Sequence, residues 1–172
     1  MQKGLDYPEN LGEGKLISTP DNIIHYYLGC AYGGLGQAEQ AKAYLEKAAV
    51  GLEEPTDMRY YNDQPADTIF YHGLALQKLG DNKGARSRFH KLLSYGEQHI
   101  FDKIRTDYFA VSLPDILIFE EDLQVRNTIH CLYLSGLGKL GLGERDEAEE
   151  MLQKAHALNI SHQGIARHLN WE

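Results

Sequence analysis

The fold is decided by the stretch GCAYGGLGQAEQAKAYLEKA, residues 29–48, whose pattern returns twice further along the chain. The two echoes are GLALQKLGDNKGARSRFHKL at residues 73–92 and GLGKLGLGERDEAEEMLQKA at residues 136–155. Six positions match in all three copies: Gly29, Gly73 and Gly136; Leu35, Leu79 and Leu142; Gly36, Gly80 and Gly143; Ala41, Ala85 and Ala148; Leu45, Phe89 and Leu152; Ala48, Leu92 and Ala155. An internal repeat of this kind indicates an array of similar structural units.

Each copy has the pattern of a helical hairpin. Apolar residues return every three or four positions on both sides of the Leu-Gly pair, as they do along one face of a helix. The Gly of that pair can take the left-handed conformation that closes a helix. The earlier Gly lies inside a helix, where it costs about 1 kcal/mol relative to Ala, so its recurrence indicates close contact between helices.

The ends of the helices carry their own signals. In the first copy, we predict Thr19 as the N-cap with Pro20 at the first helical position. Its second helix is predicted to run from about Gln37 to Val50. The second copy is predicted to have Pro65 in its first turn, and the third to start within residues 121–126.

Composition bounds the class of protein and its compartment. The 172 residues suffice for one domain or one short array, and the net charge of −8 disfavours nucleic acid and anionic membranes. Residues 1–15 lack the basic and apolar segments of a signal peptide, and nothing approaches about 18 consecutive apolar residues. Cys30 and Cys131 lie in apolar segments typical of reduced thiols. We therefore expect a cytoplasmic protein that binds neither nucleic acid nor membrane.

The spacing of Gly29, Tyr32 and Gly36, continued to Ala48 and echoed twice, resembles the tetratricopeptide repeat, or TPR. That family's unit is an antiparallel helix pair of about 34 residues, and its copies stack into a right-handed superhelix. Here the copies lie further apart than that period, and the position of Tyr32 holds Leu76 and Lys139 in the other copies. The resemblance implies an all-α, TPR-like array of three irregular hairpins.

A longer resemblance rests on residues 7–12, 107–115 and 126–131. These strings are similar to the C-terminal part of large bacterial repeat proteins, which carry an N-terminal mutarotase-like domain of unknown function ahead of the repeats. This resemblance implies that the chain is a fragment. It would then be a structural appendage of a carbohydrate-active or carbohydrate-binding protein.

The repeats and the segments between them predict the following organisation. A linker-like segment at residues 1–18 precedes a TPR-like helical domain at residues 19–172. The parts of that domain are repeats at about 20–50, 65–94 and 122–158, an extra helical insert at about 99–121 and a capping helix at 161–169. In the insert, Pro114 separates an amphipathic stretch from the apolar run at residues 116–119, which we expect to pack onto the array.

The resemblance places binding on the concave face that the first helices of the pairs form. Carried over position by position, the groove residues are Tyr26, Cys30, Phe70, Leu74, Gln77, Lys78, His130 and Tyr133. Tyr26, Phe70 and Tyr133 share one repeat position, so they predict an aromatic ladder for a peptide or partner helix. The alternative is that these rings pack against neighbouring helices or the insert, since aromatic stripes are often core. A protein or peptide partner is expected in either case.

Motifs for metals and cofactors are sought without success. His156, His162 and His168 recur every six residues, so they cannot share a helix face as an i, i+4 metal pair does. Residues 136–141 resemble a dinucleotide fingerprint only superficially, because they follow no strand. We predict neither a metal site nor a cofactor.

Nucleophilic catalysis is considered at the two thiols. Cys30 and Cys131 have His25 and His130 near them in sequence, but a reactive thiol needs an exposed, electropositive setting. The repeat pattern supplies no reason for such a setting. We therefore expect an interaction or scaffolding module and no enzyme; a cysteine bonded to a histidine in an open pocket would favour catalysis instead.

Overall fold

The chain folds into helices throughout its described part. The computed structural model describes residues 2–8, 10, 12, 14–15, 20–56, 64–104 and 122–171. Within these ranges there are seven α-helices, one short 3-10 helix at Gln2–Leu5 and no strand. The α-helices are α1 (Asn22–Gly34), α2 (Ala38–Ala48), α3 (Thr68–Lys78), α4 (Asn82–His99), α5 (Leu123–Leu142), α6 (Arg145–Leu158) and α7 (Gln163–Leu169).

Three hairpins make up the array, which confirms the predicted all-α, TPR-like fold. The helix α1 packs on α2, α3 on α4 and α5 on α6. Each pair is joined by a short turn that contains a Gly of the repeat: Gly36 with φ 73°, Gly80 with φ 91° and Gly143 with φ 87°. Side chains with a Cβ avoid this left-handed region, so the Leu-Gly pair fixes the three turns.

Inside each hairpin, two of the six repeated positions meet. The pairs are Gly29 with Leu45, Gly73 with Phe89, and Gly136 with Leu152. A Cβ built on Gly29 would lie only 2.7 Å from Cγ of Leu45, so any larger residue would push the two helices apart. The predicted role of these glycines as contact points is confirmed.

The second and third hairpins are joined most closely, through α4 and α5. Gly96 on α4 lies against Ser135 and the carbonyl of Cys131, and Gly138 on α5 lies against the backbone of Phe89 and Leu93. The first hairpin contacts the second through α3. These small residues allow the helix backbones of neighbouring repeats to approach each other.

Two buried asparagines close the ends of neighbouring helices. The Asn22 side-chain amide donates to the carbonyls of Ala48, at 3.1 Å, and Val50, at 2.6 Å. The amide of Asn127 donates to the carbonyl of His99, at 2.8 Å. These three bonds satisfy carbonyls at or just beyond a helix end, so α1 begins against the end of α2 and α5 begins against the end of α4.

The predicted start of the first helix is wrong. The helix α1 begins at Asn22 with Asp21 as its N-cap, so Pro20 precedes the helix, and Thr19 lies outside the described residues. The Asp21 carboxylate makes no capping bond; it pairs with the Lys15 ammonium at 2.5 Å. The segment before the helix is therefore tied to Asp21 by an ion pair.

The other helix starts differ less from expectation. Pro65 lies in a turn before α3, where its carbonyl accepts from the amide of Thr68 at 2.9 Å, and not in the first turn of the helix. In the third hairpin, the Asp122 carboxylate accepts from the amides of Gln124 and Val125. That side-chain cap sets the start of α5 within the predicted range.

Most of the predicted insert lies outside the described residues. The helix α4 runs on to His99, and residues 105–121, including the apolar run at 116–119, are not described. In the segment expected to be a linker, Gln2 donates from Nε2 to the Tyr32 hydroxyl at 2.7 Å. Among the helices that the structure describes, none is long and apolar enough to span a bilayer.

Candidate functional site

Seven of the eight predicted groove residues lie along one stripe of α1, α3 and α5, here called the inner face. The eighth, His130, lies 5.9 Å from the Tyr95 ring of α4 and has its Nε2 2.8 Å from the Thr56 carbonyl. The eight side chains divide by exposure: Tyr26, Phe70 and Tyr133 are buried; Cys30, Leu74 and His130 are half-buried; Gln77 and Lys78 are exposed. The aromatic ladder therefore does not line an open groove in this structure. Its rings are covered by another part of the chain.

The last helix, α7, covers much of the inner face. The ring centroid of Phe70 lies 5.4 Å from that of His168 and 5.5 Å from that of Trp171. The ring of Tyr133 lies 5.0 Å from His162 and 5.7 Å from His168. The predicted capping helix is thus present, and it packs its rings onto α3 and α5.

A glycine lets α7 approach this closely. A Cβ built on Gly164 would lie 2.5 Å from the Tyr133 hydroxyl oxygen and 2.9 Å from Cζ of the same ring. A larger residue at position 164 would have to move the helix away from the ring. Gly164 therefore sets the distance between α7 and α5.

Hydrogen bonds fix the ring of His168 between two tyrosines. Its Nδ1 lies 2.7 Å from the carbonyl of Gly164, which assigns the proton to Nδ1. Its Nε2 then accepts from the Tyr71 hydroxyl, at 3.1 Å. The Nδ1 proton is shared with the Tyr133 hydroxyl oxygen, 3.1 Å from Nδ1, and that hydroxyl donates its own proton to the Asp67 carboxylate at 3.1 Å. The bonds form a chain from α3 through α7 and α5 back to the start of α3.

The imidazole of His168 and the phenol of Tyr133 are held neutral in this chain. Burial lowers the pKa of His168; the Gly164 carbonyl and the Asp67 carboxylate oppose that shift, while the Arg167 charge adds to it. Burial raises the pKa of Tyr133 well above its ordinary value, and the negative charge of Asp67 adds to this. A neutral imidazole between two hydroxyls both donates and accepts, so this chain depends on His168 remaining unprotonated.

The rings extend from α7 across to α1. Tyr71 lies 5.6 Å from Tyr26 and 5.9 Å from Tyr27, centroid to centroid. We call this set the ring cluster: Tyr26, Tyr27, Phe70, Tyr71, Tyr133, His168 and Trp171. Edge-to-face ring pairs of this kind add roughly 1 kcal/mol each beyond their buried area. The ring cluster thus joins all three hairpins to α7.

Part of the inner face is left accessible beyond α7. On α3 the stripe that starts at Phe70 continues through half-buried Leu74 to exposed Gln77 and Lys78. On α1 the half-buried Cys30 lies beyond Tyr26 on its helix. The inner face is therefore covered at one end and open at the other.

Sequence reasoning missed four members of the ring cluster: Tyr27, Tyr71, His168 and Trp171. The only signal was that Trp171 is the single tryptophan of the chain and that His168 follows Ile165 at helical spacing. Neither feature tells which face of the array the last helix covers.

The buried thiol of Cys131 lacks the exposed, electropositive setting of a nucleophile. The cysteines are not bonded to each other, and the Cys131 thiol is buried and donates to Oδ1 of Asn127 at 3.6 Å. Burial raises the pKa of Cys131 to about 11, and the negative charge of Asp102 adds to the shift. This thiol is protonated at neutral pH, and its partner is an asparagine and not a histidine.

The described residues also lack a cluster of metal-binding side chains. Within the part of the chain that the structure describes, no three His, Cys, Asp or Glu side chains come together as metal ligands. The chemistry of the inner face is that of aromatic rings and neutral hydrogen bonds, which suits recognition of another protein segment.

A second concave feature runs along α4. This cleft of about 640 Å³ is lined by Glu54, Pro55, Ser87, His90, Lys91, Ser94, Tyr95, Gln98 and His99. The Lys91 ammonium pairs with Glu54 at 2.5 Å and with Glu53 at 3.5 Å across its rim. One helix and one loop build this cleft, whereas three helices contribute to the inner face, so we take the inner face as the candidate site.

Comparison with known proteins agrees with this architecture. Residues 25–49 and 67–95 match the family model of the tetratricopeptide repeat, and these stretches cover most of the first two hairpins. They do not include residues 7–12 or 107–115, so the resemblance to larger bacterial proteins stays a prediction. No solved structure matches the chain. Tetratricopeptide repeats generally mediate protein–protein interaction or scaffolding, and this chain is a TPR-like array of helical hairpins.

Proposed function

We propose that the chain is a protein-interaction module that binds a helical or extended segment of a partner protein on its inner face. One observation carries the proposal: the inner face holds a helix, α7, through ring contacts and a chain of hydrogen bonds. A surface that accepts one short helix with this geometry is suited to accept another.

The open end of the inner face supports the same function. Gln77 and Lys78 are exposed beside half-buried Leu74, so an incoming segment would meet polar groups around an apolar centre. That arrangement is typical of protein interfaces. A partner segment would first contact this open end and then extend towards the ring cluster.

Site-specific crosslinking tests the proposal. The photo-crosslinking residue p-benzoylphenylalanine replaces Gln77 on the inner face, in cells or lysate of the source organism. The matched control places it at Lys42 on α2, whose side chain is 65% exposed and lies outside the inner face. Both positions are on the surface, so the fold should tolerate both changes.

We expect a discrete crosslinked protein from position 77 and none of that protein from position 42. Charge reversal beside the crosslinker supplies a second readout: Lys78→Glu in the position-77 variant should reduce the yield of the crosslinked protein. Equal capture at both positions, or none at position 77, would contradict binding on the inner face.

A further inference from the structure

The position of α7 departs from that of a further repeat helix. In a stacked array each unit contacts only its neighbours in sequence, so a helix that follows α6 is expected to contact α5 and α6. The helix α7 does contact α6, and His162 and His168 lie against Tyr133 of α5. In addition, His168 and the following Trp171 pack on Phe70 of α3, and both also lie close to Tyr71. The last helix therefore reaches past its own hairpin onto the inner face of the preceding one.

The helix itself has the properties of a bound segment. It spans seven residues, Gln163–Leu169, and a helix of that length is not stable alone in water. Two of its side chains, Ile165 and His168, are buried, while Gln163 and Ala166 are exposed. The exposed Arg167 reaches back to interact with the Tyr71 hydroxyl. Its order therefore depends on the surface that it covers.

We propose that residues 162–171 are an intramolecular occupant of a helix-binding site on α3 and α5. We further infer, on the basis of the proposed function, that the partner presents a helical segment of the same chemistry there. The segment needs a small residue over the Tyr133 ring, a neutral group that both donates and accepts between the hydroxyls of Tyr71 and Tyr133, and an aromatic ring against Phe70.

The length of the linker before α7 determines how strongly residues 162–171 compete with a partner for this site. Residues 159–161 are all that connect α6 to the N-cap of α7. A tether this short holds a segment at an effective concentration in the millimolar range. A partner at micromolar concentration then binds only when it has higher affinity or when α7 is displaced, so the segment acts as a built-in competitor.

A peptide that copies the segment tests the proposal directly. The probe is a fluorescein-labelled peptide of residues 161–172 carrying Trp171→Phe, titrated into the full chain and into a chain that ends at Ser161. Because Trp171 is the single tryptophan of the chain, its emission reports whether α7 is docked in the full chain. The control peptide carries His168→Ala in addition.

We expect the probe to bind the shortened chain at least tenfold more tightly than the full chain, and the control peptide to bind neither. In the full chain, high concentrations of the probe should shift Trp171 emission to longer wavelength as α7 leaves. A shortened chain that keeps its helical circular dichroism but does not bind the probe would overturn the proposal.

A second pair of variants keeps the test valid if the shortened chain fails to fold. Gly164→Ala places a Cβ against the Tyr133 ring, whereas Gln163→Ala changes the exposed neighbouring residue. In the full chain, we expect Gly164→Ala to shift Trp171 emission to longer wavelength and to raise probe affinity at least threefold. Gln163→Ala should match the wild type, and identical behaviour of both variants would overturn the proposal.

Two further outcomes separate the alternatives. A concentration-dependent dimer in size-exclusion chromatography that Gly164→Ala abolishes would mean that the segment occupies the site of a second copy, which would overturn the intramolecular arrangement. The crosslinking at Gln77 is independent of the probe. Capture there without probe binding would reject the built-in competitor and leave the proposed function standing. Probe binding without capture would reject the proposed partner and leave only the intramolecular docking of residues 162–171.

Discussion

The imidazole of His72 should make the stability of this protein depend on pH. His72 lies on α3 with no exposed surface, and neither ring nitrogen has a hydrogen-bond partner among the residues that the structure describes. Burial lowers its pKa to about 4; the positive charge of Arg88 adds to the shift and Glu53 opposes it. In the folded protein this ring is therefore neutral at neutral pH.

The sign and size of the effect follow from linkage between protonation and folding. The ordinary pKa of 6.5 applies to the unfolded chain, so His72 takes up its proton there first as the pH falls. Its contribution to stability is complete above pH 6.5 and is lost as the pH falls towards 4. At 1.36 kcal/mol per pKa unit, the loss is about 2 kcal/mol between pH 7 and pH 5 and about 3 kcal/mol by pH 4.

The variant His72→Leu removes this titration with a side chain of similar volume. Urea unfolding at pH 7 and at pH 5, followed by circular dichroism, gives the free energy of unfolding of each protein. We expect the difference between the two pH values to be about 2 kcal/mol smaller in the variant than in the wild type. The comparison uses only this difference, because a change in packing alters the stability equally at both pH values.

The matched control is His90→Leu, on the exposed surface of α4. It measures how much of the effect comes from removing any imidazole from this hairpin. Burial also lowers the pKa of His25, His162 and His168. The free energy of unfolding of the wild type should therefore fall between pH 7 and pH 5 by more than the contribution of His72 alone. A His72→Leu variant that keeps the wild-type pH dependence within about 0.5 kcal/mol would refute this account.

Two other predictions concern the glycines and the thiols. Gly73→Ala should lower the free energy of unfolding by roughly 1–3 kcal/mol, because its Cβ would overlap the Phe89 ring. Gly34→Ala, with open space around its Cβ, should raise the stability by up to about 1 kcal/mol in the same urea titration. The buried, protonated thiol of Cys131 should react with a disulfide reagent far more slowly than half-buried Cys30, and equal rates in single-cysteine variants would contradict the packing of α5.

The repeat predicted the hairpins because their chemistry is local. Gly36 closes its turn with a positive φ, and Gly29 meets Leu45, each within a stretch of about 20 residues. Such contacts recur at fixed spacing, so three copies of the sequence reveal them. The start of α1 escaped prediction because no side-chain cap marks it: the carboxylate of Asp21 pairs with Lys15, outside the repeat.

The candidate site was predicted less well, and the reason is distance along the chain. Tyr26, Phe70 and Tyr133 share one repeat position and lie in one ring cluster, but the sequence does not show that Trp171 and His168 return to cover them. No periodic pattern links residues so far apart. The same holds for buried His72, whose environment is completed by Arg88 and by the loop at residues 51–53.

The buried histidine at position 168 indicates that α7 does more than cover apolar surface. A helix that only shields a core needs apolar side chains at its buried positions. Leucine at position 168 could be buried without removing a polar group from water. An imidazole buried to 2% exposure carries a desolvation cost, which is offset only while Tyr71, Tyr133 and the Gly164 carbonyl all remain in place. Such a contact is specific in geometry and modest in net strength. Those two properties favour a segment that docks in one position and can be displaced by another segment that offers the same groups.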